Sequence, residues 1–154
     1  MPKKLQRISS PVAPTTIMIV EDNVFTQQLL AAILNWEEYR VHIVRSGEEA
    51  LQQLPNIQPD LVLLDVGLPG IDGIQTCRQL MELADVPITL LTVESGEDIV
   101  VAGFEAGAAD YVTKPFNPKV LLARIRASLR RSRMIYLNAN VNGTMHRGTY
   151  FNFN

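Results

Sequence analysis

Cysteine is almost missing from this chain: Cys77 is the only one in 154 residues. A lone thiol excludes an internal disulfide framework and any multi-cysteine metal site. Histidine is nearly as scarce, and His42 and His146 lie far apart without ligand spacing. No stretch reaches the ~18 consecutive apolar residues that a membrane-spanning helix needs. The opening Met1-Pro2-Lys3-Lys4 is basic, but no apolar segment follows, so it does not read as a secretory signal. A net charge of -2 carries no global signature of a nucleic-acid or membrane partner. What is present is ordinary for a soluble domain with a real core, 47% hydrophobic and 19% charged, and the expected location is the cytoplasm.

The most informative stretch is Asp60-Leu61-Val62-Leu63-Leu64-Asp65, followed by Val66-Gly67-Leu68-Pro69-Gly70. Four consecutive apolar residues are too few for a buried helix and read as a strand buried on both faces, mid-sheet. Before it, residues 1 to 15 read as a flexible leader with Lys3, Lys4, Arg7 and three prolines. Thr16 to Val20 is a first strand, and Phe25, Leu29, Leu30, Ile33 and Leu34 give a helical period. Val41 to Val44 is a second strand. Ser46 and Glu49 fit a capping box opening a helix through Ala50, Leu51 and Leu54.

After the central strand, Ile74, Cys77, Leu80, Met81 and Ala84 give a third helix its buried face, which makes Cys77 core. Pro87 to Leu91 is a fourth strand ending at Thr92. Glu97 to Ala106 is a fourth helix stopped by Gly107. Asp110 to Val112 is a short fifth strand, and a fifth helix runs from about Pro118 to Arg131. Five alternations of strand and helix predict an α/β fold, a five-stranded parallel sheet with helices on both faces.

On that sheet, Glu21 and Asp22 follow the first strand, Asp65 ends the third, Thr92 ends the fourth and Lys114 follows the fifth. All fall on the carboxyl edge, where open α/β sheets bind ligands. Three carboxylates gathered there repel one another unless a positive charge sits among them, and a hard cation such as Mg²⁺ suits oxygen ligands in an open site. The parts describe a carboxylate nucleophile, a metal that neutralises an incoming phosphoryl group, and a hydroxyl and lysine that grip it. Singly they have plainer readings: Asp65 as a turn cap, Glu21-Asp22 as an N-cap pair, Thr92 as a helix cap, Tyr111 as half-buried core.

Taken together, the motifs resemble the receiver domain of two-component response regulators over residues 16 to about 132. The matching pieces are Val20-Glu21-Asp22-Asn23, Asp65 with Leu68-Pro69 and Asp72-Gly73, Thr92, Gly107-Ala108 before Asp110-Tyr111, and Lys114-Pro115-Phe116. The resemblance implies the flavodoxin-like (βα)5 fold, with Asp65 accepting phosphoryl from a sensor histidine kinase. It implies Mg²⁺ held by Asp22, Asp65 and the Gly67 carbonyl, with Glu21 assisting through water. It implies Thr92 and Lys114 on the phosphoryl oxygens, Tyr111 as the aromatic that swings inward, and a cis Lys114-Pro115 bond. An aspartate-nucleophile phosphohydrolase is disfavoured, because the second aspartate such enzymes need two residues on is here Gly67 and the chain is too short for a cap domain. The chain therefore reads as a signalling phosphoacceptor, not an enzyme acting on other substrates.

Departures from the family are local. The residue after the switch threonine, usually Ala or Gly, is Val93, which reads as a stiffer gate over Asp65. The stretch after Lys114 resembles receivers joined to a winged-helix DNA-binding domain (the OmpR/PhoB-like subfamily). Those form homodimers on phosphorylation through the fourth helix, fifth strand and fifth helix. On that face the usual basic residue becomes Val100, its glutamate partner becomes Val120, and the first aspartate of Asp-Asp-Tyr becomes Ala109. Asp110 and Arg124 remain as a charged contact. A matched pair of valines keeps the face and makes it apolar, or marks a face that has lost its partner.

Beyond Arg133 the asparagine-rich composition reads as too poor in apolar residues for more helix, and Gly148 to Phe153 as a lone strand. Residues 133 to 154 thus read as a linker and the possible start of a truncated output domain. Nothing in the chain is suited to reading DNA. Two functions stay open: the regulatory half of a transcription factor, or a stand-alone receiver (or one with a different output) acting through protein contacts.

Overall fold

All five residues of the central strand are buried, and that burial sets the architecture around it. The computed structural model describes residues 14–93 and 96–141. Its elements are β1 (Thr16–Val20), α1 (Val24–Trp36), β2 (Arg40–Val44), α2 (Gly47–Ile57), β3 (Leu61–Asp65), α3 (Gly73–Leu83), β4 (Ile88–Thr92), α4 (Glu97–Glu105), β5 (Asp110–Thr113) and α5 (Pro118–Val141). The strands form one sheet in the order β2-β1-β3-β4-β5, every pair parallel. The order reverses beside β1 and β3, the place where an α/β sheet opens a crevice at its carboxyl edge.

The period of two along each strand divides the core into two halves. Met18, Val20, Val62, Leu64, Ile88 and Leu90 point to the side covered by α2, α3 and α4. Ile17, Ile19, Leu61, Leu63, Leu91 and Val112 point to the side covered by α1 and α5, against Leu30, Leu34, Leu121 and Ile125. Leu61, Leu63 and Leu64 are fully buried. At roughly 1.5–3 kcal/mol for each such side chain, β3 is as costly to lose as β1, whose Ile17, Met18, Ile19 and Val20 are also fully buried.

Local chemistry fixes where the helices start and stop. The Ser46 hydroxyl accepts the Glu49 N–H at 3.1 Å, while the Glu49 carboxylate accepts the N–H of Arg45, one residue before the cap, at 3.0 Å. The cap of α1 is Asn23, whose Oδ1 accepts the Thr26 N–H at 2.9 Å, so Glu21 and Asp22 are not spent as caps. Asp72 caps α3 through the Gln75 N–H. Gly107, at φ 105°, ends α4: its N–H reaches Phe104 O and that of Ala108 reaches Gly103 O, a Schellman motif in which only glycine is unstrained.

The fifth helix differs from the sequence expectation. It runs to Val141 and does not stop near Arg131. No glycine or proline occurs between Pro118 and Gly143, and asparagine costs a helix only about 0.7 kcal/mol per residue. Low apolar content alone does not end a helix. At the other end, order reaches further than expected, because the Thr15 carbonyl accepts the Arg40 N–H and its hydroxyl accepts from Arg133. The strand expected over 148–153 lies outside the described residues, as does nearly all of the expected leader.

Candidate functional site

Residue Glu21 continues the path of β1 by one residue, its N–H bonded to the Val44 carbonyl at 3.1 Å, which fixes where its side chain starts. The carboxylate is 1% exposed, and its Oε1 accepts the Asn23 N–H at 3.3 Å. The Gln27 amide donates to the Glu21 carbonyl at 2.6 Å, a buried support from the first turns of α1 that pattern reading did not flag. Asp22 is exposed, and Asp65 at the end of β3 is 8% exposed. Oxygens of Glu21, Asp22 and Asp65 all lie within 4.8 Å of one another.

The charge that makes this tolerable comes from Lys114. Its N–H is bonded to the Thr92 carbonyl at 2.7 Å, which carries the chain from β5 across the edge of the sheet. Its Nζ sits 3.1 Å from Glu21 Oε2 and 3.3 Å from Asp65 Oδ1. Burial pushes the Glu21 carboxyl above the usual range, the Lys114 hydrogen bond opposes that, and the Asp65 charge adds to it. Such a cluster of hard oxygens with one exposed member fits Mg²⁺, which binds through few carboxylates and keeps several waters.

The remaining expected residues line the same edge. Gly67 donates its N–H to Asp65 Oδ1 at 3.1 Å, and a Cβ built on it would stand 3.7 Å from that oxygen, so glycine leaves this flank open. Thr92 is 3% exposed at the end of β4, and Val93 after it is 76% exposed. Tyr111 is half-buried, its ring edge-on to Phe104 with centroids 6.0 Å apart. Both rings border a shallow apolar cleft that also touches Thr92, Val66 and Leu90. The Lys114–Pro115 bond is cis. Cys77 is fully buried core, and burial pushes its thiol up to about 11.

The α4, β5 and α5 residues form a separate surface. Val120 is 47% exposed and Val100 half-buried, beside Phe104 at 47% and Val101 at 53%. Ala109 is exposed. Asp110 and Arg124 pair within the chain, Oδ1 to Nη1 at 3.0 Å.

A parallel five-stranded sheet with this acidic triad, a hydroxyl at the next strand end and a lysine beyond is the architecture of a phosphoacceptor receiver. The chain belongs to that family: the response regulator receiver domain model matches residues 17–126. It is 43% identical over 116 residues to the DNA-binding response regulator MtrA of Mycobacterium tuberculosis H37Rv, covering 75% of this chain and 51% of that protein. It is 42% identical over 127 residues to the transcriptional regulatory protein ResD of Bacillus subtilis, covering 82% and 53%. The chain thus spans about half the length of the curated relatives it matches. Among solved structures, the BeF3-activated N-terminal receiver domain of Klebsiella pneumoniae RstA is 40% identical, with a TM-score of 0.73, covering 75% of this chain and 99% of that one. No helix among the described residues is long and apolar enough to cross a membrane.

Proposed function

We propose that Asp65 takes a phosphoryl group from the phosphohistidine of a sensor histidine kinase and that the change is passed to an output outside this chain. The observation that carries the reading is Lys114 Nζ at 3.3 Å from Asp65 Oδ1, inside a triad of carboxylates within 4.8 Å. An Asp65 carboxylate oxygen attacks phosphorus, the P–N bond breaks, and the imidazole leaves with the electron pair. Asp22, Asp65 and the Gly67 carbonyl, with Glu21 assisting, would hold Mg²⁺, which would supply positive charge for the phosphoryl oxygens. Lys114 then exchanges its carboxylate partner for a phosphoryl oxygen, and the Thr92 hydroxyl takes another. Tyr111 turns into the apolar cleft beneath it once Thr92 has moved.

Val100, Val120, Ala109, Asp110 and Arg124 form the face on which two phosphorylated copies meet. The relatives named as DNA-binding or transcriptional regulators favour a DNA-binding output, with no nucleic-acid contact by this chain itself and a cytoplasmic setting. Incubation with acetyl phosphate and Mg²⁺ should label the parent and not Asp65→Asn, and EDTA should abolish labelling. Equal incorporation in both proteins, or incorporation indifferent to EDTA, refutes the assignment.

A further inference from the structure

The loop from Val66 to Asp72 connects the phosphoacceptor to α3, and it is held from one side by a residue of α2. Glu48 lies in the first turn of α2, exposed, and pairs with no cation among the described residues. Its Oε1 accepts the Ile71 N–H at 3.1 Å, across 23 positions of sequence. That amide bond is the main reason its carboxyl is held below the usual range. A Cβ on Gly70, which has φ +78°, would stand 2.7 Å from the same oxygen, so the carboxylate lies directly over the loop backbone. Gly47 beside it is so close to α3 that a Cβ would collide with Thr76 Oγ1 and come within 2.8 Å of Ile71 Cγ1. On the other side of the loop, Gly73 donates its N–H to Val66 O, and a Cβ there would collide with the Asp65 carbonyl.

We propose that Glu48 is a positioning residue: by latching Ile71 it holds the loop that carries Gly67, and so sets how well the Glu21, Asp22 and Asp65 cluster binds a divalent cation. This rests on the metal reading above and names a residue outside the cluster that serves it. The loop leaves Asp65 and returns at Gly73, both fixed by close packing, so its middle is the part left to be held. Glu48 supplies that hold without touching the metal ligands. The plainer role for an acid in a first helical turn is to favour the helix dipole, which needs its charge and not its acceptor geometry.

The two roles separate in the variants Glu48→Gln and Glu48→Ala. Glutamine keeps an acceptor for Ile71 and loses the charge; alanine loses both. Mg²⁺ dissociation constants from calorimetry, with amide exchange at Ile71 in the same samples, read metal and latch independently. Glu48→Ala should expose the Ile71 amide and weaken Mg²⁺ by about tenfold, the lower end for losing an outer support of a metal site, and Glu48→Gln should restore most of both. Glutamine behaving like alanine in Mg²⁺ affinity would assign the effect to charge and overturn the proposal. Unchanged Mg²⁺ affinity in Glu48→Ala with a freely exchanging Ile71 also overturns it, since the latch would exist without positioning. Unchanged Ile71 exchange overturns the latch itself. A parent that binds no Mg²⁺ refutes the metal reading on which the proposal depends.

Discussion

At the acidic edge Glu21 and Asp65 are 1% and 8% exposed, whereas on the α4–β5–α5 surface Val101, Phe104 and Val120 are 53%, 47% and 47% exposed. Charge is buried in one place and apolar surface is left in water in the other, the reverse of the usual partition. The first is tolerable because Lys114 pairs with two carboxylates at once, leaving a net negative charge that suits a cation. The second has no such compensation among the described residues, and in the proposed function a second copy supplies it. Thr92 and Tyr111 border both regions through one apolar cleft. The edge is closed in by backbone packed on backbone at Gly73, while the outer side chains of the face stand in water.

Two glycines at helix starts put that contrast to its hardest test. A Cβ on Gly73 would collide with the Asp65 carbonyl and lie 2.5 Å from Val66 Cα, while one on Gly96 would meet nothing within 4 Å. Neither backbone atom can rotate away, so Gly73→Ala should cost about 3 kcal/mol in urea unfolding and degrade phosphorylation of whatever stays folded. Gly96→Ala should cost about 0.5 kcal/mol, the small preference for glycine over alanine at an N-cap. Similar losses for both would mean that the edge is no more tightly built than the face.

The expected dimer tests the other half of the comparison. Val120→Glu places a carboxylate in an apolar contact, and sedimentation of the beryllofluoride-treated protein should show association weakened by about tenfold. Adding Val100→Arg should recover part of the loss. Parent association should depend weakly on salt, because screening acts on exposed charges and not on apolar burial. The in-chain Asp110–Arg124 pair lowers the charge that α4–β5–α5 offers a partner, in keeping with that expectation. A Val120→Glu protein that associates like the parent would show that the two valines do not meet.

Much of the edge was legible in the sequence, for a physical reason. Apolar runs such as Leu61 to Leu64 mark buried strands by composition alone, and the alternation then puts Glu21, Asp22, Asp65, Thr92 and Lys114 on one edge without any coordinate. What was not legible depends on contacts distant in sequence. Glu48 on Ile71 and Gln27 on Glu21 look in the sequence like ordinary polar positions of two helices. The cleft beneath Tyr111 is a property of how α4 sits on the sheet, which no residue pattern encodes. The run of α5 to Val141 is not legible in falling apolar content, because helices end at breakers and caps.

The smallest expected effect belongs to Val93, the residue that joins the two regions in the chain. It follows Thr92 directly and stands 76% exposed, so it contributes little packing, and Val93→Ala should leave stability within about 0.5 kcal/mol of the parent. Its exposure does not remove it from the reaction. It lies next to Thr92 at the end of β4, and a β-branched side chain there keeps its two methyl groups in a narrow range of orientations. If those methyls border the path to Asp65, shortening them should raise the rate of phosphorylation by acetyl phosphate, the rate of phosphate loss, or both, by a few-fold at about 0.5–1 kcal/mol of barrier. Initial labelling rates and phosphate release after donor removal measure the two steps separately. Both rates unchanged would show that the side chain points away from the path to Asp65.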